Sequence, residues 1–422
     1  MLLSVLIVLF WVLMALVVYT YLGYGLVLYA LVKLRRVLGI GQRVMPPIGE
    51  LAHVTIVVPA YNEIDCLAAK LQNCLAQNYP ADRLHLLFVV EGSTDGSAEW
   101  LEAQKANVPN LTILSGTRRL GKIEAMNNAM QQVHTPLVIF TDANTTLNLE
   151  AVSRLVRKFD GPNVGAVTGE KRIQMELAEA ATGSGEGLYW KYESFLKRFD
   201  AELHTIVGAA GELFAIRTAL YEPVEADTLL DDFMISLRIA ARGFRVEYEP
   251  EAYALERPSP SIREEQKRKV RIATGGFQSI KRLAPLLNII RYGWLSFQYV
   301  SHRVLRWAVT PFCLPLLFLV NVLIVTQLVL SDVSQLTLAF WSLMLVGQLL
   351  FYGLAYVGYQ NEDKQTRWKP AFVPFYFVFM NICVLLGLVR YWQGGISGIW
   401  EKAARTTQPV DSLSTASTQN IG

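Results

Sequence analysis

Uncharged, mostly apolar positions run unbroken from Leu2 to Val32. As a helix, at about 1.5 Å per residue, this stretch would extend about 46 Å, which predicts one long, tilted membrane span. It lacks the basic start and short apolar core of a cleavable leader, so it reads as a permanent anchor. From His53 the pattern changes to short apolar runs separated by amphipathic segments. HVTIVVPA precedes a predicted helix over 63–76, LHLLFVVEG one from 97, LTILSG one from 121, and PLVIFTDAN one from 149. The runs are continuous rather than alternating, as in strands covered by helices on both faces, and they predict an open α/β sheet.

Further apolar spans are expected at 312–330, 336–358 and 371–389. Ahead of them, residues 285–309 mix Trp294, Phe297, Tyr299 and Trp307 with Arg291, Arg303 and Arg306. That mixture predicts helices lying in the membrane interface with the aromatic side down, and His302 reads as a polar anchor. The expected layout is an anchor over 1–34, a globular domain over 51–284, interfacial helices over 285–309, membrane helices over 310–392, and a polar, disordered tail over 406–422.

Composition agrees with a soluble domain held between membrane segments, because 52% hydrophobic and 18% charged residues suit neither class alone. A net charge of +3 is too small to argue for a nucleic-acid partner. Lys33, Arg35 and Arg36 follow the first span, and Lys364, Arg367 and Lys369 sit between later ones, so the positive-inside rule puts the central domain in the cytoplasm. Arg390, Lys402 and Arg405 would then lie outside, so the last segment is re-entrant or the tail breaks the rule. Cys66, Cys74, Cys313 and Cys383 form no CxxC and no Cys/His spacing suited to zinc, and read as small buried hydrophobes.

In an open α/β sheet, ligands bind beyond the carboxyl ends of the strands. There the chain places Pro59-Ala60-Tyr61-Asn62-Glu63, Glu91 to Gly96, the GTRRLGK loop, and Asp142-Ala143-Asn144. No GxGxxG follows the first strand, so a dinucleotide fold is unsupported. GTRRLGK is nearly a P-loop, but Ile123 stands where a magnesium-holding Ser or Thr is needed, and Arg118 and Arg119 crowd the loop. Asp231 and Asp232 open a predicted helix, where they could act as a cap or as a charged base. Asp95 reads as a turn and helix-start residue.

Taken together, VVPAYNE, VEGSTDGS, GKIEAMNNAM, FTDANTTL, GAAGELFAIR, LLDDFMISLRIAARGFRV and RKVRIATGG resemble the membrane-bound family 2 glycosyltransferases, such as cellulose, hyaluronan and poly-N-acetylglucosamine synthases, over about 54–280. The resemblance implies a GT-A type domain inserted between transmembrane helices, a UDP-sugar donor, Mg2+ or Mn2+, and inverting transfer. It puts Ala60, Tyr61, Glu63 and Glu91 against the nucleoside, with Glu91 replacing the usual Asp, and Lys122 near the nucleotide. Asp142 would be the metal carboxylate, with Asn144 in place of a second Asp. Gly208, Gly211 and Glu212 would shape the acceptor side, Asp232 would be the catalytic base, and Arg268 and Arg271 would face the diphosphate. Ile272 stands where the family carries a Trp that packs on the acceptor sugar.

The chemistry is consistent with this. A hard cation needs only one or two protein oxygens beside phosphates and water, so Asp142 with the Asn144 oxygen can hold one. Lys122, Arg268 and Arg271 can offset remaining diphosphate charge. The expected function is therefore an inverting glycosyltransferase at a bacterial inner or plasma membrane, extending a polysaccharide and served by an export or accessory subunit. The runner-up, favoured by Ile272, is a single addition to a lipid acceptor. A degenerate nucleotide-binding scaffold or transporter is the alternative of another class, and intact Asp142, Asp232 and Arg271 argue against it.

Overall fold

The computed structural model describes residues 1–40, 51–173, 185–257, 261–331, 334–361 and 369–394. The polar tail, together with Lys364, Arg367, Lys402 and Arg405, lies outside them. Helix α1 (Leu2–Val37) leads into the α/β region: β1 (Val54–Ala60), α2 (Ile64–Leu75), β2 (Leu84–Glu91), α3 (Ser97–Gln104), β3 (Leu111–Gly116), α4 (Lys122–Met130) and β4 (Leu137–Thr141). The strands and helices expected from the apolar runs are present here, with bounds shifted by a few residues.

The rest of the sheet comes from β5 (Thr146–Leu147), then β6 (Val164–Ile173) after α5 (Ala151–Arg157). After α6 (Gly185–Leu203) come β7 (Leu213–Arg217), α7 (Asp231–Ala241) and β8 (Arg245–Glu256). The sheet has eight strands in the order β3-β2-β1-β4-β7-β6-β8-β5. Strands β1 to β4 pair in parallel, whereas β7 pairs antiparallel to β4 and to β6.

The parallel half is buried on both faces, as its continuous apolar runs require. Val54, Ile56 and Val58 pack with Leu67, Leu71 and Leu101 on one side, while Val57 packs with Met126, Phe140 and Phe214 on the other. Each such side chain contributes about 1.5–3 kcal/mol by leaving water. The chain steps outward from β1 to β3 and returns to β4 on the opposite side of β1, which opens a crevice at the carboxyl ends of β1 and β4. Antiparallel register pairs Thr141 with Leu213, so the Gly208–Glu212 loop arrives beside Asp142.

Beyond the sheet lie α8 (Ile262–Arg282), α9 (Trp294–Val329), α10 (Gln335–Gln360) and α11 (Lys369–Gln393). Ser261 caps α8 by accepting from the Glu264 N–H at 3.2 Å, in a Ser-x-x-Glu start. Among the described residues, four helices are long and apolar enough to cross a membrane: Leu2–Val37, Trp294–Val329, Gln335–Gln360 and Pro370–Gln393.

Within the stretch expected in the membrane interface, Ile289, Ile290 and Trp294 are exposed, but the second half behaves differently. Residues 294–309 run continuously into the helix that follows, and Gln298, Tyr299, His302, Arg306 and Trp307 turn inward. The reason is a set of acidic partners on α6. His302 sits 2.7 Å from Asp200 through Nδ1 and 3.2 Å from Glu193 through Nε2. Arg303 and Arg306 reach Glu193 at 2.8 and 2.9 Å, Gln298 donates to Asp200 at 2.9 Å, and the Tyr24 hydroxyl of α1 donates to Asp200. Burial opposes the charge on Glu193, yet Arg303, His302 and Arg306 hold its carboxyl well below its usual range. The anchor, the α/β domain and α9 are thus joined by one buried polar network.

Removing one partner from a buried ionic cluster leaves an uncompensated charge, at about 3–5 kcal/mol. His302→Phe should therefore lower the thermal unfolding midpoint of the detergent-solubilised protein by several degrees; an unchanged midpoint would refute this account of the junction.

Candidate active site

Strand β4 ends at Thr141, and the chain turns at once. The Thr145 N–H approaches the Asp142 carbonyl at 3.4 Å and the Thr145 hydroxyl donates to it at 2.9 Å. This leaves the Asp142 side chain about 25% exposed at the crevice, while Lys122, at the start of α4, reaches it from the neighbouring loop. The Lys122 ammonium lies 2.9 Å from Asp142 Oδ1 and 3.3 Å from Asp231 Oδ2. Burial disfavours its charge, but Asp142 and Asp231 outweigh that and hold its pKa above the ordinary lysine value. The GxxxxGK stretch thus delivers its lysine to two carboxylates.

Asp231 and Asp232 form the first turn of α7. The capping reading of Asp231 is not met: no side-chain hydrogen bond caps this helix, and the carboxylate turns to Lys122 instead. Asp232 lies beneath the Gly208–Gly211 loop. A Cβ on Gly211 would sit 3.2 Å from Asp232 Oδ2, and one on Gly208, whose φ is +91°, would collide with the Phe233 ring at 2.3 Å. Only glycine allows this close approach with a left-handed backbone. Ser236 accepts from the Ala209 N–H at 3.1 Å and donates to the Asp232 carbonyl at 2.6 Å, locking loop to helix.

Helix-start N–H groups were expected to keep Asp232 charged. Its surroundings do the opposite. Burial first, then Asp231 and Glu212, raise its pKa to about 7, against the lowering effects of Lys122 and the Phe233 N–H. Arg271 lies within electrostatic reach of Asp231, Asp142 and Asp232, and burial draws its own pKa below the ordinary arginine value.

On the β1–β2 side, Tyr61 and Glu91 line the opposite wall. The Arg119 guanidinium stacks 4.0 Å from the centre of the Tyr61 ring, and Glu91 Oε1 accepts from Asn128 at 2.9 Å. Asn62 adopts φ 53°, with its side-chain oxygen accepting from the Thr94 N–H at 2.8 Å. Asp95 accepts from the Ile64 N–H at 3.0 Å and the Ser97 N–H at 3.1 Å, so it ties the two strand-end loops together. Ala60 is buried beneath them, and Glu63, just before α2, accepts from the Cys66 thiol at 3.2 Å.

Not all of the expected residues converge. Arg268 is engaged by Glu265 on its own helix through contacts of 2.9 and 2.8 Å. Glu212 pairs with Lys171, which also binds Glu256. Although burial opposes charge on Glu212, Lys171 pulls its pKa down to about 2. These side chains form a neighbouring charged cluster. Asn144, half-buried, follows Asp142 in the same turn. Among the described residues, no group of three or more His, Cys, Asp or Glu gathers to hold a metal ion.

Three contributors escaped the sequence reading: Arg119, Asn128 and Lys70. The first two have no distinguishing local signal. Lys70 has one, because it falls on the apolar face of α2 in line with Leu67, Leu71 and Cys74.

Residues 55–224 match the family described as Glycosyl transferase family 2. A poly-beta-1,6-N-acetyl-D-glucosamine synthase of Staphylococcus aureus (strain MSSA476) is 26% identical over 244 residues, 56% of this chain and 57% of its own. One from Staphylococcus epidermidis is 24% identical over 234 residues, 54% of this chain and 56% of its own. The chain thus aligns with little more than half the length of these curated relatives. A mannosyltransferase from Pyrobaculum calidifontis, solved in complex with GDP-Man and Mn2+, superposes with a TM-score of 0.66 over 91% of this chain and 99% of that one, at 23% identity. That likeness shows a GT-A-like fold, and residues 55–224 of the chain are similar to the family 2 glycosyltransferases.

Proposed function

We propose that this protein is an inverting glycosyltransferase that moves a sugar from a UDP-sugar donor to a growing polysaccharide at the membrane, with its domain on the cytoplasmic side. One observation carries the reading: Lys122 joins the strand-end carboxylate Asp142 to the helix-start pair Asp231–Asp232 beneath a glycine-lined loop. The synthase relatives support the polymer, and the basic residues in the last turn of α1 support the orientation.

The nucleoside would lie against Tyr61 and Glu91, and the diphosphate would extend toward Asp142. An oxygen-liganded divalent cation suits the Asp142 carboxylate and the Asn144 amide, and when bound it would supply charge neutralisation at the diphosphate. Lys122 and Arg271 add fixed positive charge there, favouring departure of the nucleotide. Asp232 takes the proton of the attacking hydroxyl, and its raised pKa makes it a stronger base near neutral pH. Addition of one sugar to a lipid is the second reading, favoured by Ile272 on α8 in place of an aromatic acceptor platform.

Asp232→Asn should lower turnover by about 10²–10⁴-fold in membranes supplied with labelled UDP-sugars, with little change in donor KM. Retention of the wild-type rate would remove Asp232 as the base. Because that base acts deprotonated, kcat/KM should rise with pH through about 7 and then level off; a profile flat from pH 5 to 8 would contradict the assignment. Asp142→Ala should abolish transfer, whereas Asn144→Ala should mainly raise the metal concentration required. Equal loss from both would make the amide a full ligand.

A further inference from the structure

Lys70 is 2% exposed, among apolar neighbours on α2, yet it carries an ammonium that a methionine could replace as filler. Burying such a charge is costly unless every donor is used. All three are. Nζ donates to the Thr141 hydroxyl at 2.9 Å, the Thr145 carbonyl at 2.9 Å and the Thr145 hydroxyl at 3.2 Å. These acceptors bracket Asp142 on either side in the chain.

Each hydroxyl passes the contact on. Thr141 donates to the Glu212 carbonyl at 2.9 Å, and Thr145 donates to the Asp142 carbonyl at 2.9 Å. Asn73, one turn further along α2, holds the same segment by exchanging two 2.8 Å hydrogen bonds with Leu147. One buried ammonium therefore fixes both the turn that carries Asp142 and the loop that covers Asp232. Its positive charge also lies behind the place where the donor's negative charge would gather.

We propose that Lys70 is a positioning residue which, through Thr141 and Thr145, sets the affinity of the Asp142 turn for a nucleoside diphosphate and its divalent cation. This rests on the reading of Asp142 as the carboxylate that receives them. Groups that orient a metal ligand from behind typically change metal affinity by about 10- to 100-fold when lost.

The test uses the full chain in detergent, titrating Mn2+ in the presence of UDP and following free Mn2+ by electron paramagnetic resonance, with thermal unfolding measured in parallel. Lys70→Met should raise half-saturating Mn2+ by about tenfold or more. Thr145→Val should raise it in the same direction, while Thr145→Ser, which keeps the hydroxyl, should bind like wild type. A purely structural role would lower the unfolding midpoint and leave Mn2+ binding unchanged, overturning the proposal. If Lys70→Met does not fold, the two Thr145 variants decide: wild-type binding by Thr145→Val overturns it. Asp142→Ala separates the layers. Unchanged Mn2+ binding there removes the underlying reading and this proposal together, whereas weakened binding there with normal binding in the Lys70 and Thr145 variants removes only the role of Lys70.

Discussion

The site is organised by one lysine ammonium placed among carboxylates. Lys122 touches Asp142 from the end of β4 and Asp231 from the start of α7, with Asp232 close enough to add to its field. Without that charge, acids from two separate elements would repel one another in a setting that screens poorly. With it, strand end and helix start are drawn together, and the crevice gains a floor. The same proximity explains the divergence of the neighbouring acids: Asp231 engages the cation directly, whereas Asp232, crowded by its neighbour and by burial, is easier to protonate. Two adjacent aspartates thereby acquire different chemistry from position alone.

That floor is continuous with α9, one of the membrane-length helices. Phe233, next to Asp232, packs against Trp307 at 5.4 Å between ring centres and against Tyr299 at 6.4 Å, both on α9. Trp307 in turn lies where a Cβ on Gly276 of α8 would be only 2.7 Å away, and Arg303 donates to the carbonyl of Val207 just before the glycine loop. The Glu193–His302–Asp200 network holds the same helix to α6. The first turns of α9 therefore touch both the helix start that carries Asp232 and the residue preceding the loop above it. The walls of the site are thus partly built from α9.

Much of this architecture was legible in the chain. Continuous apolar runs identify strands covered on both faces, because every exposed polar group there would lose water without recompense. The ends of those runs then name the places where chemistry can occur: Tyr61, Glu91 and Asp142 lie at such ends, and Lys122 closes the loop that follows another. Other features follow no local rule. The inward turn of His302 depends on acids about a hundred residues earlier, so part of a mixed aromatic and basic segment is buried, while Ile290 and Trp294 stay exposed. Nor does its motif position reveal that Arg268, expected at the diphosphate, pairs with a carboxylate one helical turn away.

By itself, then, the order of apolar and polar residues determined the parallel half of the sheet, the membrane-length helices and the short segments that meet at the crevice. Those properties arise from local periodicity and from the cost of hiding unpaired polar groups. Tertiary structure alone decided which charges face one another: that Lys122 binds Asp142 and Asp231, that Asp232 becomes easier to protonate, and that Lys70 stands behind the turn of Asp142. Coulombic and desolvation energies depend on distance and burial in space, and the spacing of residues along a chain carries neither.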